Sequence, residues 1–143
     1  MSDDLEFRFA VECDVPWLVK MNRQLIRDEG HRNKMSISEL EKRMSDFLHT
    51  EYEAVIVRSN QNDIGYALYR RDPEWLYLKQ IFVVEPMRRK GIGLSLTKLL
   101  KNHPGKDYKR IRTDVLVNNP IGIHFWKAVG FKEYCMTMEL ENQ

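Results

Sequence analysis

Six consecutive residues, Arg88-Arg89-Lys90-Gly91-Ile92-Gly93, put three cations directly before two closely spaced glycines. The stretch follows a strand-like run, Leu78 to Val84, and opens a helix-like run, Leu94 to Leu100. Strand, basic glycine turn and helix together suit a diphosphate. Glycine lets the backbone come close and turn its N–H groups inward. A helix start adds unpaired donors and partial positive charge, and the cations add attraction and direct pairing. The spacing excludes two other phosphate loops. A Walker loop needs a Gly-Lys-Ser/Thr after four intervening residues, which is absent. A dinucleotide fingerprint needs a third glycine where this chain has Leu96. A basic turn whose glycines only make a sharp corner stays open as the plainer alternative.

The elements that must position this loop are legible on both sides of it. Phe7 to Val11 reads as a first strand. Asp14 stands as an N-cap before a helix with Pro16 early in it, and Gly30 is its stop. Val15, Leu18, Val19, Leu25 and Ile26 share one face of that helix. Ser36-Ile37-Ser38-Glu39 is a capping-box pattern opening a second helix striped by Ile37, Leu40, Met44, Phe47 and Leu48. Ala54 to Val57 and Ile64 to Tyr69 form a hairpin around Asn60-Gln61-Asn62-Asp63, and Trp75 to Val84 is a long central strand. Beyond the glycine-loop helix, His103-Pro104-Gly105 breaks the chain and Ile111 to Val117 is another strand. Asn119-Pro120 caps a helix that Gly130 ends, with Phe125, Ala128 and Val129 inward, and Phe131 to Leu140 alternates as a final strand. The order β-α-α-β-β-β-α-β-α-β predicts an α/β (α+β) fold. It has a single mixed, mostly antiparallel central sheet flanked by helices, and residues 1–143 form one domain.

Length and charge narrow the function classes. At 143 residues the chain is long enough for a substantial core. A formal net charge of +2 announces no polyanionic partner. Lys98, Lys101, Lys106, Lys109, Arg110 and Arg112 follow the glycine turn, either as a solvated patch or as a site for a further phosphate. No run approaches the ~20 apolar residues of a membrane span, and the acidic start, Met1 to Glu6, is not a secretory signal. Cys13 and Cys135 lack metal or redox spacing and read as buried, reduced thiols of a cytoplasmic protein. No metal or membrane role is expected, and a nucleic-acid-binding module ranks last among the function classes, since the aromatic-basic interleaving of nucleic-acid readers is absent.

Three separated stretches together resemble the GCN5-related N-acetyltransferase (GNAT) family, over about Phe7 to Leu140. The first is Phe7-Arg8-Phe9-Ala10 with Asp14. The second is Val83-Val84-Glu85-Pro86-Met87 leading into Arg88-x-x-Gly91-x-Gly93, the family's coenzyme A pyrophosphate loop. The third is Val115 to Pro120 followed by Phe125-Trp126-Lys127-Ala128-Val129-Gly130-Phe131. The resemblance implies acetyl-CoA as cosubstrate. The backbone of Ile81, Phe82 and Val83 then lines the pantetheine slot, as an added strand would. Arg88, Arg89, Lys90, Gly91, Ile92, Gly93 and Leu94 hold the pyrophosphate. Asn119 contacts the coenzyme or serves only as a helix cap, and Trp126 packs against the coenzyme or donates one hydrogen bond.

The implied reaction is direct acetyl transfer to a primary amine, in a small-molecule acceptor, within a ternary complex. A protein Lys or N-terminal acceptor, or a noncatalytic acyl-CoA sensor, are the alternatives. Two departures leave the proton chemistry open. Trp126 stands where the family often has Tyr, and indole N–H is no practical acid. Lys79 and Gln80 stand where some relatives carry Glu. Asp114 is the candidate base, with a surface-paired strand residue as the other option. The resemblance places the acceptor over the first two helices, so Asp28, Glu29 and His31 become candidates to recruit a cationic amine. A homodimer is left open.

Overall fold

The computed structural model describes residues 4–142; the first three residues of the acidic start, Met1 to Asp3, lie outside them. Among the described residues five strands form one sheet in the order β1-β2-β3-β4-β5. β1 is Leu5–Phe9, β2 Tyr52–Ser59, β3 Asn62–Arg71, β4 Leu76–Val83 and β5 Ile111–Thr113. The first three pairings are antiparallel and β4–β5 is parallel, so the sheet is mixed as expected. The helices are α1 Val15–Glu29, α2 Ile37–His49, α3 Ile92–Asn102 and α4 Pro120–Ala128. No helix among the described residues is long and apolar enough to cross a membrane.

Local chemistry accounts for most boundaries. Ser36 Oγ accepts from Glu39 N at 3.2 Å and Glu39 Oε1 accepts from Ser36 N at 2.9 Å, a closed capping box that starts α2. Gly30 ends α1 in the left-handed region, at φ 68°. Asp14 occupies the N-cap position of α1, but its carboxylate caps nothing there. It accepts instead from Val11 N at 2.8 Å and from both Arg8 guanidinium nitrogens at 2.9 Å, tying β1 to the start of α1.

The sheet carries one apolar cluster on each face. Val15, Leu18, Val19 and Leu25 of α1 and Leu40 and Met44 of α2 pack on Ala54, Ile56, Tyr66, Leu68 and Phe82. On the other face Ile92, Leu96 and Leu100 of α3 and Trp126 of α4 pack on Val55, Val57, Ala67, Tyr69, Leu76 and Leu78.

Four expectations are corrected. The strand expected over Ile111 to Val117 stops at Thr113, because its partner β4 is lost after the pair Leu78–Thr113. Phe131 to Leu140 forms no strand: Tyr134, Met136, Met138 and Leu140 are 69 to 94% exposed, so the alternation marks an extended chain without a ladder partner. Ala128 is exposed and Trp126 is the buried residue of α4. Cys13 and Cys135 are exposed rather than buried, the first in a one-turn 3-10 helix and the second in that unpaired segment.

Candidate active site

The site is created by a phase change in β4. Opposite β3, Leu68 pairs with Gln80 and Tyr69 with Leu78, so Lys79 is an extra residue, a β-bulge. Side chains alternate across a strand, and one extra residue inverts the alternation. Leu76 and Leu78 therefore face α3, while Gln80 and Phe82, further along, face α1 and α2. Tyr77 and Lys79 thus join Gln80 on the α1–α2 side. β5 diverges at the same point, leaving the outer edge of β4 without a strand partner from Lys79 to Val83 among the described residues. An open edge of backbone N–H and C=O groups accepts an extended ligand as an added strand.

That edge runs into the glycine loop. Arg89 has φ 64° and Gly91 φ 79°, so the turn uses two left-handed residues before α3 begins. No side chain caps α3. Its first intrahelical bond is Ser95 N to Gly91 O at 2.9 Å, so the N–H groups of Ile92, Gly93 and Leu94 have no intrahelical acceptor. The two glycines do different work. A Cβ at Gly91 meets nothing within 4 Å but suffers the left-handed backbone, whereas a Cβ at Gly93 lies 3.1 Å from the Phe125 ring. The absence of a side chain at Gly93 thus lets the start of α3 pack closely on the Phe125 ring of α4.

Arg88 is committed elsewhere. Its Nε donates to Val83 O at 2.8 Å, its Nη2 to Asp28 Oδ2 at 2.8 Å, and its guanidinium lies 5.1 Å from the Phe82 ring centroid. Arg89 and Lys90 are exposed and, unlike Arg88, make no ion pair among the described residues. The Arg88–Asp28 pair clips the loop to the end of α1, so Asp28 already meets a cation of the protein itself. Glu29 and His31 face each other at 3.1 Å; burial pushes the Glu29 carboxyl up, the nearby His31 pulling the other way.

Around the mouth of the β4–β5 divergence, Tyr52, Arg70, Asp72, Trp75, Tyr77, Lys79, Arg112 and Asp114 line a polar cleft of about 350 Å³. Here Asp114 finds a partner that sequence reasoning missed: the Tyr77 hydroxyl donates to its Oδ2 at 2.9 Å. Burial, then the hydrogen bond to Asp114, holds the Tyr77 phenol well above its ordinary value. Tyr77 is therefore a neutral donor that orients the carboxylate. Tyrosine in a strand reads as core, and the one available signal was the polar doublet Lys79-Gln80 interrupting the alternation of β4.

The remaining candidates are structural in their observed contacts. Asn119 Oδ1 accepts from Gly122 N at 3.0 Å, the cap of α4. Trp126 is buried, edge-on to Phe125 at 4.9 Å and to Phe131 at 5.0 Å. Its indole is built into the core under α3 rather than into the cleft.

A sequence model described as the Acetyltransferase (GNAT) family matches residues 18–131. The chain belongs to that family of acetyl-CoA-dependent acyltransferases. Solved structures share the fold across nearly the whole chain. A possible acetyltransferase from Clostridium difficile 630 aligns with a TM-score of 0.83 at 19% identity, covering 97% of each chain. The aminoglycoside N-acetyltransferase AAC(6')-Iy in complex with CoA gives 0.78 at 15%, covering 100% of this chain and 97% of that one. A ribosomal-protein-alanine N-acetyltransferase from Brucella melitensis biovar Abortus 2308 gives 0.77 at 13%, covering 98% and 100%. A search of curated proteins found no match.

Proposed function

We propose that residues 1–143 form one N-acetyltransferase domain. It moves an acetyl group from acetyl-CoA to a primary amine of a small molecule by direct attack in a ternary complex. The observation that supports it best is the open edge of β4 from Lys79 to Val83, running into the uncapped start of α3, with the Asp114–Tyr77 pair at its mouth. The backbone of Ile81, Phe82 and Val83 pairs with the pantetheine arm. The N–H groups of Ile92, Gly93 and Leu94, with Arg89 and Lys90, receive the pyrophosphate. The amine nitrogen attacks the thioester carbonyl carbon, the C–S bond breaks, and the thiolate leaves and is protonated from solvent. Asp114, held by Tyr77, accepts the proton that the amine loses. The cleft volume fits a small acceptor, and relatives of the same fold act on aminoglycosides.

The exposed thiols of Cys13 and Cys135 suit the reducing cytoplasm, where we place the protein. The extended segment after Gly130 presents alternate apolar side chains, which supports a homodimer in which a second copy covers them.

The test is acetylation of a broad amine panel, followed by mass spectrometry of the products, in wild type and Asp114→Asn. Loss of Asp114 is expected to lower kcat about 10²-fold with acetyl-CoA affinity unchanged. Acetyl-CoA binding without any acetylated product would make the chain a sensor. An unchanged kcat in Asp114→Asn would remove the base from Asp114.

A further inference from the structure

The acceptor side of the cleft is richer in unpaired cations than in carboxylates. Arg70 is neutralised by Asp72, whose two oxygens it meets at 2.6 and 3.0 Å. Lys79, Arg112 and Arg43 have no carboxylate partner among the described residues. Arg112 is sandwiched at the rim, 3.7 Å from the Trp75 ring centroid and 4.4 Å from that of Tyr134. Lys79 and Arg43 share a third ring: the Lys79 ammonium is 5.7 Å and the Arg43 guanidinium 5.4 Å from the centroid of Phe47. The Nε of Arg43 is buried with no hydrogen-bond acceptor. A buried donor on a charged group without an acceptor is costly, and two like charges held on one ring repel. Burial and the proximity of Arg43 and Arg70 pull the Lys79 ammonium down, consistent with an uncompensated pair. An anion beside Phe47 offsets the repulsion between the two cations.

We infer that the acceptor amine also carries a carboxylate, and that Lys79 of β4 and Arg43 of α2 hold it against the Phe47 ring. A flat aromatic wall with a guanidinium on it matches a planar carboxylate, which the guanidinium can meet through two N–H groups. The opposite charges fall elsewhere. Asp114 lies with Tyr77, and Glu29 with His31, and the buried Tyr66 hydroxyl sits in the fields of both Arg43 and Glu29. The cations Lys79 and Arg43 thus gather at Phe47 of α2, apart from the carboxylates of Asp114, just after β5, and Glu29, at the end of α1. This favours an amino-acid-like acceptor over a polycation.

The inference rests on the acetyl-transfer reading, and the two fail separately. Matched amines are compared by product formation: β-alanine, 3-aminopropanamide and 2-aminoethylphosphonate, then lysine against cadaverine. We expect the carboxylates to exceed the amide and the diamine at least tenfold in kcat/KM. Lys79→Met should erase that preference while keeping acetyl-CoA affinity, and Lys79→Arg should retain it. Ligand-observed NMR with β-alanine and 3-aminopropanamide gives a readout independent of turnover. Carboxylate binding that depends on Lys79, without acetylation, upholds the anion site and sinks the transfer reading. Acetylation that favours the amide, cadaverine or the phosphonate, or a carboxylate preference surviving Lys79→Met, overturns the anion site and leaves transfer intact.

Discussion

Gly91→Ala and Gly93→Ala separate the two reasons for glycine in the coenzyme loop. At Gly93 a Cβ arrives 3.1 Å from both Cε1 and Cζ of Phe125. The ring must yield a few tenths of an ångström, but its neighbour Trp126 is edge-on at 4.9 Å and is itself backed by Phe131 at 5.0 Å. Forcing a methyl into such packing costs about 1–3 kcal/mol, offset by up to about 1 kcal/mol because alanine is the better helix former. A net loss of roughly 1 kcal/mol follows, or a Tm lower by about 2–6 °C in a chain of this size. Gly91→Ala loses about 1–2 kcal/mol for a different reason, the left-handed backbone, with nothing to clash against. Phe125→Leu distinguishes them. In denaturant titrations it should relieve Gly93→Ala, giving a coupling energy above about 0.5 kcal/mol, and stay additive with Gly91→Ala. The argument is refuted if Gly93→Ala raises the Tm, or if Phe125→Leu couples equally to both. Calorimetry with acetyl-CoA on the same proteins should show the larger affinity loss in Gly91→Ala, whose change alters the loop backbone itself.

Asp14 gives a pH signature. The hydrogen bonds from Arg8, and then that from Val11 N, hold its carboxyl below the usual range against the effect of burial. Its stabilisation is therefore full above the unfolded carboxyl value of ~3.9 and is lost as pH falls through the lower folded value. Asp14→Asn should cost about 1 kcal/mol at pH 7, discounted because Arg8 is partly in solvent, with the difference from wild type vanishing in acid urea titrations. Cys13 and Cys135 should both react with a disulfide reagent in the native state; two thiols that react only after unfolding would contradict their exposure. Sedimentation should show a dimer for the full chain and a monomer for one ending at Glu133, and a monomer in both cases removes the role given to Tyr134, Met136, Met138 and Leu140.

What was legible in the sequence was whatever depends on neighbours in the chain. The Ser36–Glu39 box, the Gly30 stop and the apolar stripe of α1 are local, and each lies where its residues imply. The glycine loop was legible as a loop, but not the division between backbone conformation at Gly91 and packing at Gly93, because Phe125 comes to Gly93 from a different helix. Asp28 could not be known to be spent on Arg88, 60 residues away. Asp114 was named without its Tyr77 partner because Tyr77 lies on β4, 37 residues before it in the chain. The alternation from Phe131 to Leu140 specifies an extended backbone; whether a ladder forms depends on a neighbouring strand that no local pattern encodes.

The extra residue at Lys79 makes β4 a wall shared by two rooms. Before it, leucines face the interior under α3 and Tyr77 faces the cleft; after it, the assignment is reversed. The spacing from Trp75 to Gln80 is consequently a constraint on count, separate from any constraint on kind. A substitution at Lys79 changes one side chain. Deleting Lys79 would instead rotate everything before it by half a turn, sending Leu76 and Leu78 into the polar cleft and Tyr77 into the apolar layer. This short stretch should thus tolerate replacements that keep each side chain's character far better than any change of length, an asymmetry that a scan of single substitutions beside single deletions would expose.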